Sequence, residues 1–196
     1  MSSQARTPEN GTENDTERFL IFETSGQLFG LPIAAIVEIL PMVTLTPVPA
    51  MPPFVVGFLN WHNSTTPIAI LRLDDLLRLS QTSRVPGLHT PLLIVKNIPH
   101  LEPLKTPDEK EQIFGLLVER IHNLCAIAPA EIGAAEQTSF NGCVTGLLSL
   151  SQPEGMAAIL SVERLLLAEE RERLSSFAQL ATERRDALRS ADEGNE

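Results

Sequence analysis

The chain predicts an all-β, barrel-like fold, and three observations carry that prediction. About nine or ten short apolar runs, many rich in β-branched residues, follow one another along the sequence. Gly, Pro, Asn and Ser sit between them as turn residues. A five-residue pattern also returns: Gln27-Leu28-Phe29-Gly30-Leu31 reappears as Gln112-Ile113-Phe114-Gly115-Leu116, and each copy is followed by an apolar segment with a carboxylate, Glu38 or Glu119. Five residues are few enough for coincidence. Read as a repeat, they predict two similar strand units, each around half the chain, folded as two related barrels that share a core. Two barrels side by side leave a groove between them.

The elements follow in order. Met1 to Glu17 is polar and aperiodic and predicts a disordered tail. Phe19-Leu20-Ile21-Phe22 reads as a strand, Ser25-Gly26 as a turn and Gln27 to Leu31 as the returning strand. After Pro32, Ile33, Ile36, Val37, Ile39 and Leu40 recur at three- and four-residue spacing and predict a short helix or helical turn with Glu38 facing outward. Five of the chain's 15 prolines lie between Pro41 and Pro53, which predicts a stiff connection with at most an edge strand over Thr44 to Thr46.

The central stretch, Pro53 to Leu77, reads PFVVGFLNWHNSTTPIAILRLDDLL. Val55 to Trp61 and Thr66 to Leu71 form a hairpin whose strands show little polar alternation, as expected of strands buried on both faces. Gly57 marks a bend or a close backbone approach, and Asn63 is the residue best suited to a left-handed turn position. Asp74-Asp75-Leu76-Leu77 reads as one helical turn with its acids at the N-terminal end. Ser80 to His89 and Asn97 to Glu111 are loops. Leu92 to Val95, Ile113 to Val118, Ile121 to Ile127, Val144 to Leu150 and Met156 to Leu160 are strands, with the break over residues 134–142. Beyond Val162 to Leu167, the residues Leu174, Phe177, Ala178, Ala181 and Leu188 recur at helical spacing and predict an amphipathic helix of roughly twenty residues, with Ser190 to Glu196 frayed. The units are thus a tail over 1–17, a body over 18–167 and a helix with an acidic tail over 168–196.

Composition removes several function classes. A chain of 196 residues with 43% hydrophobic content can fill one sizeable core. Its net charge of -10 and its lack of a basic cluster argue against nucleic acid and anionic membrane as partners. No secretory signal opens the chain, and no apolar run reaches the roughly 18 to 20 residues a membrane helix needs, so the expectation is a cytoplasmic protein without membrane insertion. The two cysteines, Cys125 and Cys143, sit in apolar strands and read as buried free thiols. The four histidines are scattered, with no nucleophile elbow or orienting acid, so no enzyme is expected. His122 and Cys125, three apart on a strand, point to opposite faces and make a poor metal pair. No phosphate loop occurs, and no cofactor or metal is expected.

The order and spacing of several pieces resemble the CheW family of chemosensory adaptors. They are Phe19-Leu20-Ile21-Phe22 with Phe29-Gly30, Ile36-Val37-Glu38-Ile39, Pro53-Phe54-Val55-Val56-Gly57 leading to Asn60, Pro67-Ile68 with Leu71-Arg72, Phe114-Gly115-Leu116-Leu117-Val118, Thr145-Gly146-Leu147 and Val162-Glu163-Arg164-Leu165-Leu166. The resemblance implies two SH3-like five-stranded β-barrels side by side and a scaffold without chemistry. Its implied partners are the regulatory domain of a CheA-type histidine kinase and the cytoplasmic tip of a methyl-accepting chemoreceptor. Carried over by position, the partner-binding candidates are Ile36, Glu38, Gly57, Asn60 and His62. Trp61 joins them because tryptophan anchors interfaces, although a core tryptophan is about as frequent. The hairpin tip departs from the family's Asn-Leu-Arg-Gly, reading Asn60-Trp61-His62-Asn63. Ile70 replaces a family acid before Leu71-Arg72, whereas the acid after the second Phe-Gly strand is kept as Glu119. A lone histidine in place of arginine predicts receptor binding that strengthens below about pH 6.5 and on His62→Arg. The chain therefore reads as a divergent adaptor coupling receptors to CheA, or else as a CheW-like module turned to positioning or regulating another protein.

Overall fold

Strand β1 (Glu17–Thr24) and strand β2 (Gln27–Pro32) form the opening hairpin, closed by Ser25 and Gly26 at φ 52° and 72°, the positive values a tight two-residue turn demands. The protein's structure is a computed structural model, and it describes residues 16–47, 51–63, 67–79, 87–96, 113–135 and 142–193. Most of the predicted tail, much of the loops over 80–89 and 97–111, the middle of the 134–142 break, the tip residues 64–66 and residues 194–196 lie outside it.

The predicted helix after Pro32 is a correction. Ile33–Ala35 makes a single 3₁₀ turn, and Ile36–Leu40 is strand β3. Pairing with a neighbouring strand overrides an apolar spacing that fits a helix, and the β-branched residues at 36, 37 and 39 suit a strand. The edge strand expected over Thr44–Thr46 shrinks to one bridge, Thr46 to Phe58. Strands β4 (Val55–Leu59) and β5 (Ile68–Arg72) form the central hairpin. Helix α1 (Leu73–Leu76), β6 (Leu92–Lys96), β7 (Ile113–Leu117), β8 (Arg120–Ile127), a two-residue β9 (Gly133–Ala134), β10 (Val144–Ser151) and β11 (Glu154–Leu160) follow. Helix α2 (Val162–Leu165) leads to α3 (Ala168–Glu193), longer than expected at 26 residues.

Among the described residues eleven strands make two mixed sheets, ordered β8-β1-β2-β11-β10-β9 and β3-β6-β7-β5-β4. The first has six strands rather than five because β9 adds itself beyond β10. The pairings repeat from sheet to sheet. In each, a central strand has one antiparallel neighbour and one parallel neighbour: β2 lies between β1 and β11, and β7 lies between β6 and β5. These central strands carry the two Phe-Gly echoes. Gly30 stands opposite Ile21 and Ile159, and Gly115 stands opposite Ile94 and Ile70. A Cβ on either glycine meets the δ-methyl of the parallel neighbour, Ile159 or Ile70, so the missing side chain is what lets the isoleucine lie across the strand.

The equivalence extends along the chain. The run β1-β2-β3-β4-β5-α1 matches β6-β7-β8-β10-β11-α2, with Thr46 taking the place of β9. Each sheet combines the first two strands of one unit with the later strands of the other, so the two units are intertwined.

Three clusters of buried residues explain the unbroken apolar runs. On β6, Leu93 and Val95 enter a cluster shared by both sheets, while Leu92 and Ile94 enter a cluster confined to the second sheet. On β1, Leu20 and Phe22 join the shared cluster, and Phe19 and Ile21 join one confined to the first sheet. Both faces of these strands are dry, so the period-2 alternation separates two cores instead of core from water. α3 adds Leu174 and Ala178 to the shared cluster. Arg171 fastens that helix, donating from Nε and Nη2 to the carbonyl of Leu166 at 3.1 and 3.0 Å, and from Nη2 to the carbonyl of Glu163.

Candidate functional site

β3 and β4 are the two edges of the second sheet, and the chain leaving β3 crosses to β4 through the Thr46–Phe58 bridge. Gly57 makes the approach possible. It is buried, and a Cβ there lies 2.9 Å from the Thr46 carbonyl oxygen and 3.1 Å from Leu45 Cβ, so only glycine lets the 44–46 segment cross β4. Thr46 and Phe58 then exchange two backbone hydrogen bonds of 2.9 Å. The close approach read from Gly57 is present, and the residue shapes this region from beneath its surface.

The side chains that close the seam are Glu38, Trp61 and His62. A bulge after Ile36 sets Val37 aside from the pairing, so that Ile36 faces Val95 and Glu38 faces Ile94. Glu38 therefore leans toward the β4–β5 tip. Trp61 Nε1 donates to Glu38 Oε2 at 2.8 Å, and His62 Nε2 lies 3.0 Å from the same oxygen. An ionised carboxylate only accepts, so the histidine's proton sits on Nε2 in this contact. The two donors hold the Glu38 carboxyl below its usual range, the indole more strongly than the imidazole, against a smaller opposing effect of desolvation. The Trp61 ring is half-buried against the second sheet's own cluster and meets the His62 ring edge-on at a centroid distance of 4.6 Å.

The left-handed turn residue is His62 itself, at φ 49° and ψ 36°, and not Asn63. Histidine is among the non-glycine residues that enter this region most readily, and its bond to Glu38 offsets the cost. Of the other candidates, Asn60 is exposed at the end of β4 and Ile36 is half-buried against the shared cluster. Ile70, where the family has an acid, is completely buried over Gly115. Sequence reasoning missed Val37 and Ile39, which flank Glu38 and are 40% and 44% exposed. Reading the segment as a strand would have found them, since the chain turns its apolar residues to both faces there.

The equivalent seam of the first sheet has different chemistry. A bulge between Ile21 and Phe22 places Asn123 at the register of Glu38. Asn123 Nδ2 donates to the carbonyl of Gln152, at the tip of the β10–β11 hairpin, at 3.0 Å. Leu124, 58% exposed, corresponds to Ile39. His122 stands 3.0 Å from Glu23 Oε2, while Cys125 packs with the first sheet's own cluster. Among the described residues no group of three or more His, Cys, Asp or Glu side chains converges as metal ligands, and no helix is long and apolar enough to cross a membrane.

Comparison with known proteins places this geometry. No curated protein matches the sequence. The fold is similar to the crystal structure of the scaffolding protein TtCheW from Thermoanaerobacter tengcongensis, with a TM-score of 0.64 and 17% identity over 84% of this chain and 96% of that one. The model of the CheW family, the CheW-like domain, matches residues 18–170, from the first strand of the opening hairpin to the start of α3. With the match running through both sheets, the chain belongs to the CheW-like domain family.

Proposed function

We propose that this protein is a non-enzymatic cytoplasmic adaptor that couples chemoreceptors to a CheA-type histidine kinase in a bacterial chemosensory array. In this reading the two sheets are two SH3-like barrels side by side, and the partners are the kinase's regulatory domain and the cytoplasmic tip of a methyl-accepting receptor. The observation that carries it is the seam of the second sheet. A carboxylate is fixed there by two donors, Trp61 and His62, at a partly exposed edge of the sheet, which supports the reading of a rigid recognition surface. The proposed receptor face comprises Ile36, Glu38, Asn60, Trp61 and His62, with Gly57 holding its backbone in shape. Size-exclusion chromatography of the protein with a purified CheA regulatory domain and a soluble receptor signalling fragment tests the proposal. Co-elution with both supports it, and failure to bind either one defeats it.

One feature favours a second reading, in which the module positions or regulates another protein. α3 continues to Glu193, well past residue 170 where the family match ends. Deleting the helix beyond the body leaves receptor and kinase binding intact under the first reading and removes the main activity under the second.

A further inference from the structure

The strand edges of the two sheets are not protected alike. β3 has five residues and carries Glu38, β9 has two residues, and the outer side of β4 is crossed by the chain at Thr46. β8 has eight residues and pairs with β1 alone. From Asn123 to Ile127 that pairing is regular, residue for residue with Ile21 back to Glu17, and from Ile121 to Ala128 the chain holds no proline, glycine, Asp, Glu, Lys or Arg. Among the described residues no backbone hydrogen bond joins the outer side of β8 to another element, and the β10–β11 tip reaches it through the Asn123 side chain. Proteins ordinarily blunt such an edge with a charge, a proline or a very short strand, because an open row of backbone donors and acceptors pairs with any extended segment that fits.

The side chains point the same way. Leu124 lies opposite Leu20, on the face that carries the shared cluster, yet it is 58% exposed, and Ala126 is exposed as well. Cys125 and Ile127 turn the other way, into the first sheet's own cluster. The open edge therefore has an apolar row of its own.

We infer that two copies of this chain pair through β8, antiparallel about a two-fold axis at Leu124, so that two six-stranded sheets become one. In this register the strand is its own complement. Leu124 lies beside the second copy's Leu124 and leaves water, His122 falls opposite the small Ala126, and no like charges oppose each other. Arg120 falls opposite Ala128, which is extended and leads into the Pro129–Glu131 turn, so the exposed Arg120 of each copy comes alongside the exposed Glu131 of the other. The same operation through the middle of β3 sets Glu38 against Glu38 and is disfavoured. The overall charge of -10 opposes self-association at long range, so the dimer tightens as salt rises.

Sedimentation equilibrium of the full chain over a concentration series tests this pairing. The expected result is a reversible dimer that Leu124→Lys, which sets two ammonium groups side by side, weakens about tenfold or more. An unchanged melting temperature of the variant verifies that its fold is intact. Glu131→Arg should weaken the dimer about threefold, and adding Arg120→Glu should restore it. A monomer at every concentration overturns the inference, as does a dimer that Leu124→Lys leaves unchanged or a double variant no tighter than Glu131→Arg. If the wild-type protein is monomeric and Leu124→Lys instead loses binding to a CheA regulatory domain, the edge belongs to that partner and self-pairing is wrong. No receptor or kinase enters the pairing itself, so it stands or falls apart from the adaptor reading.

Discussion

Glu38 shows how a single side chain can be tied down without being buried. Because the folded protein lowers its pKa from an ordinary 4.5, the stabilisation it provides is complete above that value and is lost as pH falls through the lower folded value. Trp61 is the chain's one tryptophan, so its emission should report this directly. A titration from pH 6 to 2.5 is expected to show a transition that Glu38→Gln abolishes. Trp61→Phe removes the stronger donor and should lower the urea unfolding midpoint at pH 7. Asp74 is the opposite case. It is buried, and desolvation raises its pKa against the hydrogen bond that Oδ1 accepts from the Asp75 amide. Its ionised form therefore opposes folding above the raised value, and stability grows as pH falls through it. Asparagine keeps an acceptor for the Asp75 amide, so Asp74→Asn is expected to raise the melting temperature at pH 8 and to gain little at pH 4. Cys143 is buried with its thiol pushed up to about 11, so it is a packing residue and should resist alkylation until the protein unfolds.

At the scale of elements, the glycines divide by what stands over them. Above Gly57 is the Thr46 backbone, which cannot move without opening the seam; above Gly115 are the δ-methyls of Ile70 and Leu92, which can rotate away. Gly57→Ala should thus destabilise the fold more, by roughly 1–3 kcal/mol. Adding Ile70→Val, which removes the δ-methyl, should recover part of the loss in Gly115→Ala but nothing in Gly57→Ala. Paired denaturation curves of the two double variants decide this. The same elements show what was legible in the sequence. The Phe-Gly echo marked the two central strands, and Gly57 marked the crossing, because each reflects a local steric need. The segment Ile33–Leu40 misled, because its helical spacing was local while the strand partner that decided the outcome, β6, lies some fifty residues away. The closure of the site was invisible for a related reason. Nothing near Glu38 in the sequence says that Trp61 and His62 will meet it, and the left-handed turn fell on His62 because of that meeting.

For the molecule as a whole, the shared cluster is the stabilising centre, since both sheets, α1, α2 and the first turns of α3 contribute to it. Leu174 is 5% exposed within it, and Leu174→Ala is expected to cost about 2–3 kcal/mol and to lower the stability of both sheets in one cooperative transition. Arg171→Ala removes the bonds to the Glu163 and Leu166 carbonyls and should expose α3 to proteolysis while leaving the two sheets folded. The mostly β architecture, the two-unit organisation and the apolar strands could be read from the sequence because they follow from composition and period. The exchange between units could not, since either unit is locally compatible with building a sheet from its own strands alone.

That exchange has a consequence for synthesis on the ribosome. The second sheet takes its strands from one continuous stretch, residues 36–117, so it can close while the rest of the polypeptide is still being made. The first hairpin, emerging earliest, has to wait for β8, β10 and β11 before Phe19 and Ile21 are covered. A translational pause between Leu117 and Leu160 would hold the nascent chain with the second sheet paired but its shared face incompletely covered and the β1–β2 hairpin partly bare, which is the species a chaperone should capture.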